Sequence, residues 1–278
     1  MRKRPSVLIA LTFAAGTLVA GGVSRAQEHT PPLYRAGHTQ DAIRIDGKLD
    51  EFTWAALPRV GRFHDIRLPG RPDALPTEAA LAWDSTHLYA AFTCVDPEPW
   101  GTMMQRDQHL WNEEVVEVFL DPDGDGRDYP ELEVSPHNIV VDLLIPQPPD
   151  SSTDASIAAR WDIEVLQTAV TKHEAGWIVE IAIPWTSLAG GGVRAAPREG
   201  DRWRVGLYRI ERPGGPARSS RIAELQKKLD GAPAGQQADL SKELETLQAT
   251  RQTLAWSPTR RSFHDPERFG VVEFVLRP

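Results

Sequence analysis

The chain has 278 residues, 41% hydrophobic and 25% charged, an ordinary globular composition and long enough to bury a core without staples. A net charge of −8 argues against nucleic acid and anionic lipid as partners, and a single cysteine, Cys94, excludes an internal disulfide and a thiolate zinc cluster. The nine tryptophans outnumber the eight phenylalanines and four tyrosines. A buried indole needs a partner for its N–H, so this surplus points to rings that work at a surface.

The chain opens on Met1-Arg2-Lys3-Arg4, continues through an apolar run from Val7 to Val23, and reaches the small-x-small tripeptide Ser24-Arg25-Ala26. This pattern predicts a signal peptide over residues 1–26, cut before Gln27, and a periplasmic or secreted protein; the alternative is an uncleaved anchor. No cysteine follows the apolar run, which excludes a lipoprotein attachment site there. No other apolar stretch approaches the ~20 residues of a membrane span. Losing Arg2, Lys3, Arg4 and Arg25 with the leader takes the charge from −8 to −12.

Beyond it, one domain over 33–278 is expected. Apolar residues recur with a period of two, which predicts strands at Ala79–Trp83, Leu88–Val95, Val115–Leu120, Glu131–Ser135, Ile139–Ile145, Trp177–Ile183, Arg202–Ile210 and Val271–Leu276. Asp84-Ser85-Thr86, Asp123-Gly124-Asp125-Gly126 and Gly190-Gly191-Gly192 are the turns between them. The fold class is all-β, an antiparallel β-sandwich. Cys94, between Thr93 and Val95 in a strand-like run, reads as a small buried residue. One segment, about 217–251, changes to helical spacing: Ile222, Leu225 and Leu229, then Gly231-Ala232-Pro233, then Leu240, Leu244 and Leu247. It predicts a helical hairpin inserted between strands, either a surface insertion or an arm for a protein partner.

Three stretches carry a resemblance. They are Ile45-Asp46-Gly47-Lys48-Leu49-Asp50-Glu51-Phe52-Thr53-Trp54; Leu110 to Asp123, running on to Tyr129 and Glu131-Leu132-Glu133-Val134-Ser135-Pro136; and Ala255-Trp256-Ser257-Pro258 followed by Phe263 to Gly270. Together they resemble carbohydrate-binding module family 9, within the DOMON-like group of β-sandwiches. The resemblance implies a non-catalytic carbohydrate-binding protein that grips a sugar between two Trp rings, and with the leader-like run at residues 1–26 the chain reads as an exported one. By position Trp111 and Trp256 match that pair, and Glu117 matches a Glu that accepts hydrogen bonds from sugar hydroxyls. Pyranose C–H faces stack on aromatic rings while the hydroxyls point sideways.

The period of two supports part of this reading. Val115, Glu117 and Phe119 share one strand face, and Glu131, Glu133 and Ser135 share a face of the next strand. Glu131, Glu133, Arg106 and Arg209 complete the candidate sugar-binding set, with Asp142 beside them; the bland alternative is a solvated sheet face. Paired glutamates such as Glu117 and Glu131 leave a glycoside-active enzyme open, although no nucleophile elbow or His-Glu-x-x-His is present. Asp121, Asp123 and Asp125 match the first half of a calcium loop, but no Glu stands at the twelfth position, so an Asp-Gly turn competes with a structural calcium ion. The Asp46 to Asp50 turn is a second calcium candidate. A DOMON-type haem site, with His109 or His264 and Met103 or Met104, is the remaining alternative.

Overall fold

The computed structural model describes residues 30–72, 74–146, 161–193 and 195–277, so the expected signal peptide lies outside the described residues. Twelve strands are found among them: β1 (Leu33–His38), β2 (His64–Asp65), β3 (Thr77–Trp83), β4 (His87–Val95), β5 (Val115–Asp121), β6 (Tyr129–Val134), β7 (Val140–Ile145), β8 (Gln167–His173), β9 (Gly176–Pro184), β10 (Arg202–Glu211), β11 (Gln252–Ala255) and β12 (Gly270–Val275). All eight strands expected from periodicity are there. They form one continuous curled sheet in the order β7-β6-β5-β10-β12-β1-β3-β4-β9-β8, with β11 and β2 branching from β10. The expected antiparallel arrangement holds except at β1, which runs parallel to both β12 and β3.

The two arms of the sheet pack face to face as a sandwich, because one parity of each strand is apolar. Val116, Val118 and Leu120 of β5 and Val205 and Leu207 of β10 join Leu81, Phe92, Trp177 and Ile181 from the other arm in one buried core. Cys94 belongs to it, and burial pushes its thiol up to about 12. The outer face of β3, β4 and β9 is lined by small residues, Ala80, Ala82, Ala91 and Ala182. Short helix α1 (Phe52–Ala56) lays Trp54 there.

The Asp46–Lys48 turn is fixed by Glu180 of β9. Its carboxylate accepts the amides of Asp46 (3.1 Å), Gly47 (2.8 Å) and Lys48 (3.2 Å) and the Trp54 indole (2.9 Å). Gly47 is required here: its φ is +80°, and a Cβ would come within 2.5 Å of Thr171 Oγ1. The first of the three family-like stretches is therefore a structural clasp whose amides close on the Glu180 carboxylate.

The helical insertion is present as α2 (Gly215–Asp230) and α3 (Ala234–Gln248). Leu225 and Leu244 are its buried leucines, and neither belongs to the sandwich core. At its exit, the Arg71 guanidinium donates to the carbonyls of Ala249 (2.6 Å) and Thr250 (3.3 Å). No helix among the described residues is long and apolar enough to cross a membrane.

Candidate functional site

The outer face of the β7-β6-β5-β10 arm carries the chemistry. Strand parity places Glu117 and Phe119 of β5, Tyr129, Glu131 and Glu133 of β6, Leu143 and Ile145 of β7, and Tyr208 and Ile210 of β10 on this face. Loops rise around it. The short 3-10 turn Leu110–Asn112 brings Trp111, the segment between β11 and β12 brings Phe263 and His264, the segment after β2 brings Arg67, and the exit of α3 brings Arg251. Together they enclose a cavity of about 520 Å³.

Its floor is a cluster of three carboxyls. Glu117 lies directly across the ladder from Glu133, and Phe119 across from Glu131. One oxygen from each of the three glutamates lies within 4.8 Å of the others, and all three are at most 4% exposed. Like charges opposed on neighbouring strands repel, and burial removes the water that would solvate them. Burial, reinforced by the charges of Glu117 and Glu131, holds Glu133 well above the usual carboxylate range. Burial and Glu131 raise Glu117 in the same way, against the attraction of Arg251, and burial carries Glu131 to about 8. Burial and mutual repulsion therefore favour the neutral acid over the carboxylate on this floor. Both side-chain oxygens of Glu133, Oε2 of Glu131 and the Thr253 hydroxyl are buried without a well-formed hydrogen bond.

The walls are aromatic. Phe263 stacks on Tyr208 at 4.1 Å between centroids, and Tyr208 meets Phe119 edge-on at 5.0 Å. His264 holds the Tyr129 hydroxyl through Nδ1 at 2.9 Å, and its Nε2 lies 3.7 Å from Glu131. Burial lowers the imidazole to about 4, so it is neutral at pH 7. Trp111 is half-buried, and His109 stacks on it at 4.5 Å with the planes 17° apart. The three glutamates are immediate neighbours on one wall, whereas a glycosidase pair flanks the scissile bond from two sides.

Four of the seven expected sugar-binding residues thus come together: Trp111, Glu117, Glu131 and Glu133 all line the cavity. Three do not. Trp256 is 3% exposed within the sandwich core, so it is not a second clamp ring. It fills the space over Gly270, where any Cβ would meet ring carbon Cζ3 at 2.4 Å. Arg209 has the same parity as Leu207 and Val205 and so points into the sandwich. There it is wholly buried, donating to Val95 O (2.9 Å), Asp96 (3.1 Å) and Glu211. Arg106 is tied to Asp142 at 2.5 Å and Asp162 at 3.1 Å, and Asp142 lies on the opposite parity of β7 from the cavity residues. The cavity residues that sequence reasoning missed are Arg67, Arg251, Arg261 and Thr253. All stand in loops or at strand starts, where no periodicity marks them.

Asp121, Asp123 and Asp125 do gather, with oxygens within 4.8 Å of one another. However, Asp121 accepts the amides of Gly124 (3.0 Å) and Gly126 (3.1 Å), and Asp125 accepts that of Arg127 (2.8 Å). The β5–β6 turn is closed by its own backbone, and the binding described below draws on no ion there.

Comparison with known proteins agrees with this architecture. The family described as carbohydrate family 9 binding domain-like matches residues 45–276. Exoglucanase XynX of Acetivibrio thermocellus is 25% identical over 144 residues, 52% of this chain but 12% of the enzyme, so the chain spans only a small part of that relative. A family 9 carbohydrate-binding module from Caldicellulosiruptor kristjanssonii in complex with cellotriose superposes with a TM-score of 0.54 at 16% identity, over 90% of this chain and 95% of that one. One in complex with glucose gives 0.54 at 16% identity over 88% and 97%. At such identities the likeness to these structures is one of fold.

Proposed function

Because this chain belongs to the carbohydrate family 9 binding domain-like family, whose modules bind sugar without catalysis, we propose that the cavity over β5 and β6 is its saccharide site. The observation that carries this reading is the floor of three buried carboxyls with poorly satisfied oxygens beneath aromatic walls. A cavity of about 520 Å³ lies in the usual size range for small-ligand sites. A pyranose ring presents C–H faces to Trp111 and Phe263, while Glu117, Glu131 and Glu133 take its hydroxyls as donors or acceptors according to their protonation. The grip is built around one tryptophan, not two. Glucose and short β-glucans, the kinds of ligand held by the Caldicellulosiruptor modules, are the first to try. We further place the protein outside the cytoplasm, after cleavage at Ala26, in keeping with the leader-like run at residues 1–26.

The test is a screen on immobilised glycans, followed by calorimetric titration of the best ligand into wild type, Trp111→Ala and Glu133→Gln. Binding weakened in both variants, with melts close to wild type, supports the assignment. A protein that retains no glycan, or one whose affinity neither variant changes, overturns it.

A further inference from the structure

The cavity has a charge pattern that a neutral sugar does not require. Arg67, Arg251 and Arg261 reach it from three separate segments. Among the described residues none of the three forms an ion pair, and Nε of Arg251 is buried without a hydrogen-bond partner. Arg212 stands close by, its guanidinium donating to the carbonyls of Trp111 (2.8 Å) and Glu113 (3.2 Å). These cations crowd one another. Burial, together with the charges of Arg251 and Arg67, presses Arg212 down to about 9, and burial with Arg67 lowers Arg251. Glu113 and Glu114 attract Arg212, and Glu117 and Asp65 attract Arg251, yet burial and the neighbouring guanidiniums outweigh them, so an anion joining the group would relieve the repulsion.

The acids on the floor do not supply that counter-charge in full. They are buried and adjacent, which favours their neutral form, and no ion pair joins Glu117 to Arg251 despite their attraction. The resulting site has cations above and crowded, buried carboxyls below, with the Thr253 hydroxyl also without a partner. The ammonium of an amino sugar placed among these arginines would be repelled by them. The positive character is also local, since the chain as a whole carries −8.

Resting on the saccharide reading above, we infer that the sugar held here bears an acidic group, which Arg251 and Arg67 grip while Trp111 covers the ring. A guanidinium fork matches a carboxylate or sulfate with two parallel hydrogen bonds, which an ammonium cannot do. A uronic acid and a sulfated sugar present this same chemistry.

The experiment is calorimetric titration of the full chain with D-glucose, D-glucuronate and glucose 6-sulfate, at low and high salt, for wild type, Arg251→Met and Arg67→Met. At least one of the acidic sugars is expected to bind about tenfold or more tighter than glucose, equivalent to about 1.4 kcal/mol; which one does so identifies the acidic group. The preference shrinks in high salt, where exposed charges are screened, and falls below about twofold in either variant, consistent with a loss of about 1.4 kcal/mol per tenfold. Arg67 is exposed, so its variant keeps the test valid if Arg251→Met fails to fold. Glucose binding as tightly as both acidic sugars, unchanged by either substitution, refutes the inference and leaves the saccharide site standing. If none of the three sugars and no polysaccharide binds, the saccharide reading falls with it.

Discussion

Replacing Trp256 with alanine separates the two tryptophans that the sequence presents as a pair. The Trp256 ring is 3% exposed, sits in the sandwich core and lies against Gly270. Truncating a fully packed Trp costs roughly 3–5 kcal/mol, because the surrounding strands relax only partly into the space left. For a compact unit of this size, Pro31–Pro278, each kcal/mol lowers Tm by roughly 2–4 °C, so the melt should fall by roughly 6–20 °C. Trp111 is half-buried at the cavity edge, stacked by His109 and packed against the rim of the apolar cluster that contains Leu110 and Phe119. Its alanine variant should shift the melt by only about 1 kcal/mol, a common size for point substitutions. It should weaken sugar binding by roughly 1–3 kcal/mol, by analogy with a base stacked on an aromatic side chain. Differential scanning calorimetry and titration on the same samples provide both numbers. If Trp256→Ala melts with wild type but no longer binds, the ring belongs to the ligand site and the core assignment is wrong.

Three further outcomes follow from the same geometry. Glu131 is raised to about 8 in the folded chain, so the folded state holds more protons than the unfolded state between the ordinary Glu range and pH 8, and its contribution to stability falls as pH rises through that window; Glu131→Gln should therefore gain stability relative to wild type between pH 5 and pH 8 in paired melts, and parallel curves would count against a protonated floor. Gly47→Ala forces a Cβ into the left-handed region and toward Thr171, for a loss of roughly 1–2 kcal/mol in urea unfolding, and an unchanged midpoint would show that the clasp is soft. Deleting residues 216–247 and bridging with a short Gly-Ser loop, which keeps Arg251, should leave one cooperative melt, since the leucines buried in the hairpin lie outside the sandwich core; aggregation or a broadened transition would make the hairpin part of the fold.

The strand pattern was legible in the sequence wherever alternation is strong. Val115 to Leu120 reads correctly on both faces, and the same parity places Glu117, Glu131 and Glu133 together. Parity also held the correction for Arg209, which keeps step with Val205 and Leu207, whereas the neighbour of Glu117 across the ladder is Tyr208. The short β2 and the polar, half-exposed β8 (Gln-Thr-Ala-Val-Thr-Lys-His) passed unread because little in them alternates. Trp256 was misplaced because a Pro-bounded loop suggests exposure, while its burial depends on Gly270, fourteen residues further on. Arg67 and Arg251 converge only after the chain has folded around β11, whose neighbours are β10 and β2. No spacing along the sequence reports such an encounter.

Everything proposed above turns on a saccharide occupying the cavity over β5 and β6. A crystal structure of the protein soaked with the best ligand from the glycan screen tests it most directly. A pyranose is expected to lie against Trp111, its hydroxyls on Glu117, Glu131 and Glu133, with Arg251 turned toward it. A sugar bound elsewhere on the sandwich, with this cavity holding only water, would contradict it.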